Sequence, residues 1–124
     1  MNMLATTEAP AAIGPYSQGI VAGGLVFTSG QIPIDPSTGA VAGDTIVAQA
    51  EQSCKNILAV LKAAGTGADK VVKTTCFIAD MADFAAFNEI YASYFISKPE
   101  RSCVAVRTLP KGVLCEIEAV AELC

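Results

Sequence analysis

The sequence predicts an α+β fold in which two helices cover one face of a mixed sheet. Three observations predict it: a Gly-Gly pair between two short apolar runs near the start, two segments with apolar residues at steps of three and four, and β-branched or alternating segments between and after them. The 124 residues, 52% hydrophobic and 16% charged, fit one domain over residues 1–124 that buries its own core. A mean hydropathy of +0.48 is high for a small monomer, so part of the apolar surface is expected to be buried between subunits.

Between residues 16 and 29, Ala22-Gly23-Gly24 separates two apolar runs, and glycine accepts the positive φ of a tight hairpin turn. A β-hairpin is expected there. Gly30-Gln31-Ile32-Pro33 and Asp35-Pro36-Ser37-Thr38-Gly39 carry turn chemistry, which predicts an ordered surface loop over residues 30–43. Asp44 is placed to cap a helix whose stripe is Val47, Ala50, Cys54, Ile57, Leu58 and Leu61, and Gly65 to end it in a left-handed cap. Residues 71–79 are rich in β-branched side chains and predict a strand inside the sheet.

Asp80 or Asp83 starts a second helix carrying Phe84, Phe87, Tyr91, Tyr94 and Phe95, with Pro99 helping to stop it. This aromatic stripe reads as packing against the sheet rather than as a cofactor site. The chain then runs strand (102–108), turn (109–112), strand (113–123). Arg101, Cys103, Ala105 and Arg107 share one face of the first strand; Glu116, Glu118, Val120 and Glu122 share one face of the second. If a two- or four-residue turn pairs the strands directly, these faces coincide. Cations and carboxylates would then line the surface that the helices leave open.

The net charge is −4, from eight Lys+Arg against twelve Asp+Glu, and the cations are scattered from Lys55 to Lys111. That distribution weighs against nucleic acid as a partner. With no His in the chain, imidazole acid/base chemistry, His-ligated metals and Ser-His or Cys-His pairs are excluded within one polypeptide. Five cysteines without a CxxC spacing argue against a disulfide framework or a zinc ribbon. The first ten residues lack the basic and apolar regions of a signal peptide, and no apolar run approaches the roughly 20 residues that cross a bilayer. A reducing, cytoplasmic setting without membrane association is expected. Nothing in the sequence assigns a role to the terminal Cys124.

Arg101 opens an otherwise apolar strand, where a guanidinium either binds a carboxylate ligand bidentately or pairs with Glu116 or Glu118. Glu116 either holds and activates a water or serves as that arginine's partner. Cys103 has no His and no cluster of cations to lower its thiol pKa, so packing or backbone contacts fit it better than nucleophilic attack. Tyr16, Ser29 and Gly30 flank the first hairpin, where Ser29-Gly30 either presents hydroxyl and N–H groups or merely ends a strand.

Ala11-Ala12-Ile13-Gly14-Pro15-Tyr16-Ser17-Gln18-Gly19, Thr28-Ser29-Gly30-Gln31-Ile32-Pro33, Val72-Lys73-Thr74-Thr75, Arg101-Ser102-Cys103-Val104, Leu109-Pro110-Lys111 and Glu116-Ile117-Glu118-Ala119 resemble the signature segments of the RidA (YjgF-type) enamine/imine deaminases. The resemblance runs from near Ala9 to Ala121. It implies a chorismate-mutase-like α+β fold, a homotrimer with clefts between neighbouring subunits, and hydrolysis of 2-aminoacrylate-type enamines and 2-imino acids to 2-keto acids and ammonia. It implies no metal or organic cofactor. Carried over by motif, Arg101 and Glu116 are the catalytic pair, Arg101 as the carboxylate anchor and Glu116 on the attacking water. Tyr16, Ser29, Gly30, Asn88 and Cys103 complete the substrate-binding set.

Residues 97–100, Ser-Lys-Pro-Glu, form a shorter and more charged approach to the arginine than is usual in that family. Two other readings stand beside the deaminase: a trimer that binds 2-keto acids without turning them over, and an endoribonuclease or translation inhibitor. Glu116 speaks against the first, because a carboxylate sensor has little use for a water-holding glutamate; the acidic balance speaks against the second.

Overall fold

The structure, a computed structural model, describes residues 1–123; Cys124 lies outside the described residues. The chain forms β1 (Asn2–Leu4), β2 (Gly19–Ala22), β3 (Leu25–Thr28), α1 (Ile46–Ala63), β4 (Val71–Ile78), α2 (Phe84–Tyr94), β5 (Glu100–Ala105) and β6 (Cys115–Glu122). The strands make one sheet in the order β1-β2-β3-β6-β4-β5, antiparallel throughout except where β5 runs parallel to β4. Both helices lie on one face, as the sequence predicts.

The hairpin is β2–β3, with Val21 opposite Val26 and Ala22 opposite Leu25. Gly23 (φ 60°) and Gly24 (φ 77°) take the two left-handed positions of its turn, a conformation costly for residues with a Cβ. β1 was not expected; three residues pairing along β2 carry too little alternation to mark a strand.

The cap of α1 falls one residue beyond Asp44. Thr45 is the N-cap, its Oγ1 accepting from the Ala48 N–H at 3.2 Å, which satisfies one of the helix's free donors. At the other end Gly65 (φ 86°) is the left-handed residue expected. Its N–H donates to Lys62 O and that of Thr66 to Leu61 O, a Schellman closure.

The buried stripe of α1, with Ala50, Cys54, Ile57 and Leu61, packs on Val26, Cys76, Ile117 and Ala121 from the sheet and on Phe87, Tyr91 and Phe95 from α2. The loop over residues 30–43 is pinned to α1 by buried Asn56, whose Nδ2 donates to Ile32 O (3.1 Å) and Ile34 O (2.9 Å). Gln18, also buried, ties down the N-terminal segment by donating to Thr6 O, Ala9 O and Pro10 O. Hydrogen bonds of this kind net about 1 kcal/mol each.

The C-terminal strands depart from expectation. β5 and β6 do not pair with each other; β4 lies between them, and the connection from Ala105 to Cys115 crosses its end through Val106 N to Ile78 O and Ala79 N to Leu114 O. The helix between β4 and β5 returns the chain to its starting end, so β5 enters parallel to β4. Register then decides the faces. Thr74 lies opposite both Arg101 and Ala119, so Arg101 and Cys103 share the helix-covered face. Phe77 lies opposite both Val104 and Glu116, so Glu116 and Glu118 belong to the open face. The arginine and glutamate faces are therefore opposite sides of one sheet, not one shared surface. Phe27, Val72 and Val104 are exposed large apolar residues on the open side.

A candidate active site in two halves

The first half is built where β3 runs into the loop. Gln31 forms a two-way bridge with Ile117 of β6, N to O at 2.7 Å and O to N at 3.2 Å, which lays Gly30 directly on the Glu116 side chain. A Cβ at position 30 would collide with the Glu116 carboxylate and come within 2.8 Å of its Cδ. Only glycine leaves room for this side chain in its present position. Ser29 donates through N–H and Oγ to Gln18 O, and its Oγ accepts from Gln31 Nε2 at 3.2 Å.

Tyr16, Ser29, Gly30, Gln31 and Lys111 line a cleft of about 410 Å³ beside this contact. Glu116 is half-buried. Burial raises its pKa above the ordinary 4.5, and the negative charge of Glu118 adds to the effect. A carboxyl tuned upward takes a proton from water, and returns it, more readily near neutral pH than an exposed one.

The second half lies on the other face, at the β5 edge. Arg101 Nη1 donates to Asn88 Oδ1 at 2.6 Å, and the guanidinium carbon sits 4.8 Å from the Tyr91 ring centre and 5.6 Å from that of Phe84. No carboxylate among the described residues lies within 4 Å of Arg101, so the ion pair with Glu116 or Glu118 is absent from this chain. The nearest acid in sequence, Glu100, is engaged by Lys73 at 3.2 Å. Asn88, Tyr91, Lys98 and Arg101 border a cleft of about 520 Å³ whose lining carries no acid. A half-buried cation without a countercharge, facing such a cleft, is a receptor for an anion.

Cys103 follows on the same face, half-buried beside Cys76 on β4. Burial pushes its thiol pKa up and Arg101 opposes this only in part, so the group is a thiol rather than a nucleophilic thiolate.

The expected site residues thus separate. Tyr16, Ser29 and Gly30 gather with Glu116; Asn88 and Cys103 gather with Arg101. Thr74 and Tyr91 were not expected near the arginine. The sequence places Tyr91 in the core stripe, although Phe84, Asn88 and Tyr91 at steps of four and three already share a helix face.

The chain matches the family described as Endoribonuclease L-PSP over residues 6–123. It is 53% identical over 122 residues to the 2-iminobutanoate/2-iminopropanoate deaminase of Salmonella typhimurium, covering 95% of this chain and 94% of that one. It is 52% identical over 124 residues to AldR of Lactococcus lactis, a protein named for a regulatory role, covering 99% and 98%. Among solved structures it is similar to Escherichia coli TdcF with bound serine, at 45% identity, TM-score 0.94 and 98% of both chains.

Proposed function

We propose a reaction from the premise that the chain belongs to the Endoribonuclease L-PSP family and is a deaminase of the RidA type: it hydrolyses 2-aminoacrylate-type enamines and 2-imino acids to 2-keto acids and ammonia. The observation that carries this reading is Arg101, half-buried in an acid-free cleft and held by Asn88 and two aromatic rings rather than by a carboxylate. Such a guanidinium binds the substrate carboxylate through its remaining donors. Backbone groups at Gly30 and Cys103 assist, while Tyr16, Ser29 and Asn88 shape the pocket.

The chemistry asks little of the protein beyond position. The iminium carbon is already electrophilic, so an oriented water and a proton acceptor supply the main requirements. Glu116 takes a proton from the water as its oxygen bonds to C2, and the C=N π pair moves onto nitrogen to give a neutral carbinolamine. Glu116 returns that proton to the amine. The C–N bond then breaks with its electron pair on nitrogen, the hydroxyl oxygen forms the C=O bond, and the released ammonia takes the hydroxyl proton, giving the keto acid and ammonium.

Because Arg101 and Glu116 occupy opposite faces, one chain does not assemble this site. We place the complete cleft between copies in a homotrimer, with the open sheet faces turned inward and Glu116 of one subunit facing Arg101 of the next. The exposed Phe27, Val72 and Val104 supply apolar surface for that interface.

The test is 2-keto acid release when the protein is added to a serine or threonine dehydratase reaction in the presence of a chelator. Wild type accelerates imine hydrolysis and Arg101→Ala does not. A wild-type protein that binds 2-oxobutanoate without accelerating hydrolysis overturns the enzymatic reading and leaves the ligand-binding one.

A further inference from the structure

We propose that Tyr91 is a positioning residue for this reaction, fixing the Arg101 guanidinium in the orientation that receives the substrate carboxylate; the inference rests on Arg101 being the carboxylate anchor. An arginine at a sheet edge has many rotamers, and a receptor must hold one. Asn88 fixes a single guanidinium nitrogen. The Tyr91 ring lies closer to the guanidinium carbon than the Phe84 ring, 4.8 Å against 5.6 Å, within the range where a cation is attracted to a ring face.

Tyr91 is itself held from several sides. It is 8% exposed, stacks at 4.6 Å on Phe95, and its hydroxyl lies 2.6 Å from Thr74 Oγ1 in the core. Burial raises the phenol's pKa, which keeps it protonated and able to hold this bond. Thr74 is the residue paired with Arg101 across the β4–β5 register. The contacts therefore close on themselves: Arg101 sits beside Thr74 in the sheet, Thr74 holds the Tyr91 hydroxyl, and the Tyr91 ring supports the Arg101 head. A buried tyrosine hydroxyl needs a partner, and here that partner is the residue beside Arg101 in the sheet, so the ring's position is tied to the arginine's own strand register.

Since the carboxylate is bound in both ground and transition states, loss of the platform acts mainly on binding. Tyr91→Leu raises KM for the imine, and Kd for 2-oxobutanoate by calorimetry, about tenfold, with kcat changed less than about threefold. Tyr91→Phe keeps the ring but frees it, and raises both by about threefold. Thr74→Val/Tyr91→Phe removes both hydroxyls, relieving the unpartnered Thr74 and recovering thermal stability, yet keeps the raised Kd.

Wild-type Kd in folded Tyr91→Leu, or a Kd that recovers together with melting temperature in the double variant, overturns the proposal. Should Tyr91→Leu fail to fold, the Tyr91→Phe pair decides alone. Wild type that binds 2-oxobutanoate but hydrolyses no imine refutes the deaminase reading and leaves the Kd comparison intact.

Discussion

Gly30→Ala separates the position of the Glu116 carboxylate from its chemistry. The new Cβ meets Glu116 Cδ at 2.8 Å and Cγ at 3.2 Å, where ordinary contact begins at 3.4 Å, so the carboxyl carbon must retreat by at least 3.4 − 2.8 = 0.6 Å. The obstructing atoms end a flexible side chain and residue 30 has no positive φ, so the fold absorbs the change. Rotating Glu116 away costs on the order of 1 kcal/mol, and restricting the unfolded chain returns about 0.4–1 kcal/mol, leaving the melting temperature within a few degrees of wild type. Catalysis is less forgiving, because misplacement by about 1 Å costs on the order of a hundredfold. A shift of 0.6 Å or more therefore lowers kcat by roughly ten- to a hundredfold, about 1.4–2.7 kcal/mol of barrier.

The assay is steady-state 2-keto acid release from a dehydratase-generated imine, with thermal melting as the control for folding. Glu116→Gln and the double variant Gly30→Ala/Glu116→Gln complete a cycle. If Gly30→Ala acts by displacing the carboxylate, it has nothing further to remove once Glu116 is Gln, and the double variant matches the single one. Wild-type kcat in Gly30→Ala, or losses that multiply in the double variant, refutes the assignment of Glu116 at this contact.

Other perturbations follow from the same geometry. The rate depends on ionised Glu116 and so rises as pH climbs through its raised pKa; Glu118→Gln removes a neighbouring negative charge and moves that midpoint to lower pH in a kcat profile. Stability runs the other way, since a raised carboxyl pKa contributes fully below the ordinary 4.5 and loses its contribution as pH rises through the folded value; Glu116→Gln flattens that part of a denaturation-against-pH curve. Lys98 holds φ 52° without being glycine, at a cost of about 1–2 kcal/mol, partly offset in Lys98→Gly by the freedom glycine restores to the unfolded chain. The net gain of about 0.5 kcal/mol raises the melting temperature by a few degrees, and an unchanged or lower value contradicts the strain.

The hairpin, both helices and the interior strand were legible because each rests on neighbours in sequence: glycines at a turn, apolar steps of three and four, a β-branched run. The one-residue shift from Asp44 to Thr45 is the ordinary ambiguity of two adjacent capping residues. The placement of Arg101 and Glu116 was a different kind of inference. Parity along a strand fixes which residues share its face, but combining two strands requires knowing which strand each one pairs with. β4, distant in sequence from the connection it separates, intervened and reversed the outcome.

The site was legible as residue types and illegible as an arrangement. Glu116 needs Gly30 brought against it by the Gln31–Ile117 bridge, and Arg101 needs Tyr91, whose apolar ring disguised it as core.

The buried thiols of the core have a use outside catalysis. Cys54, Cys76 and Cys115 are sealed between helices and sheet, and burial holds Cys76 at about 12 and Cys115 at about 11, with Cys54 higher still. An alkylating reagent reaches such groups only while the layers are apart, so their labelling rate is a clock for transient separation of α1 from the sheet. Partly buried Cys103, at the Arg101 edge, is modified on a faster schedule than the sealed thiols and marks the site's own accessibility. With Cys124→Ser removing the terminal thiol, one mass spectrum taken over time distinguishes breathing of the cleft from opening of the whole domain.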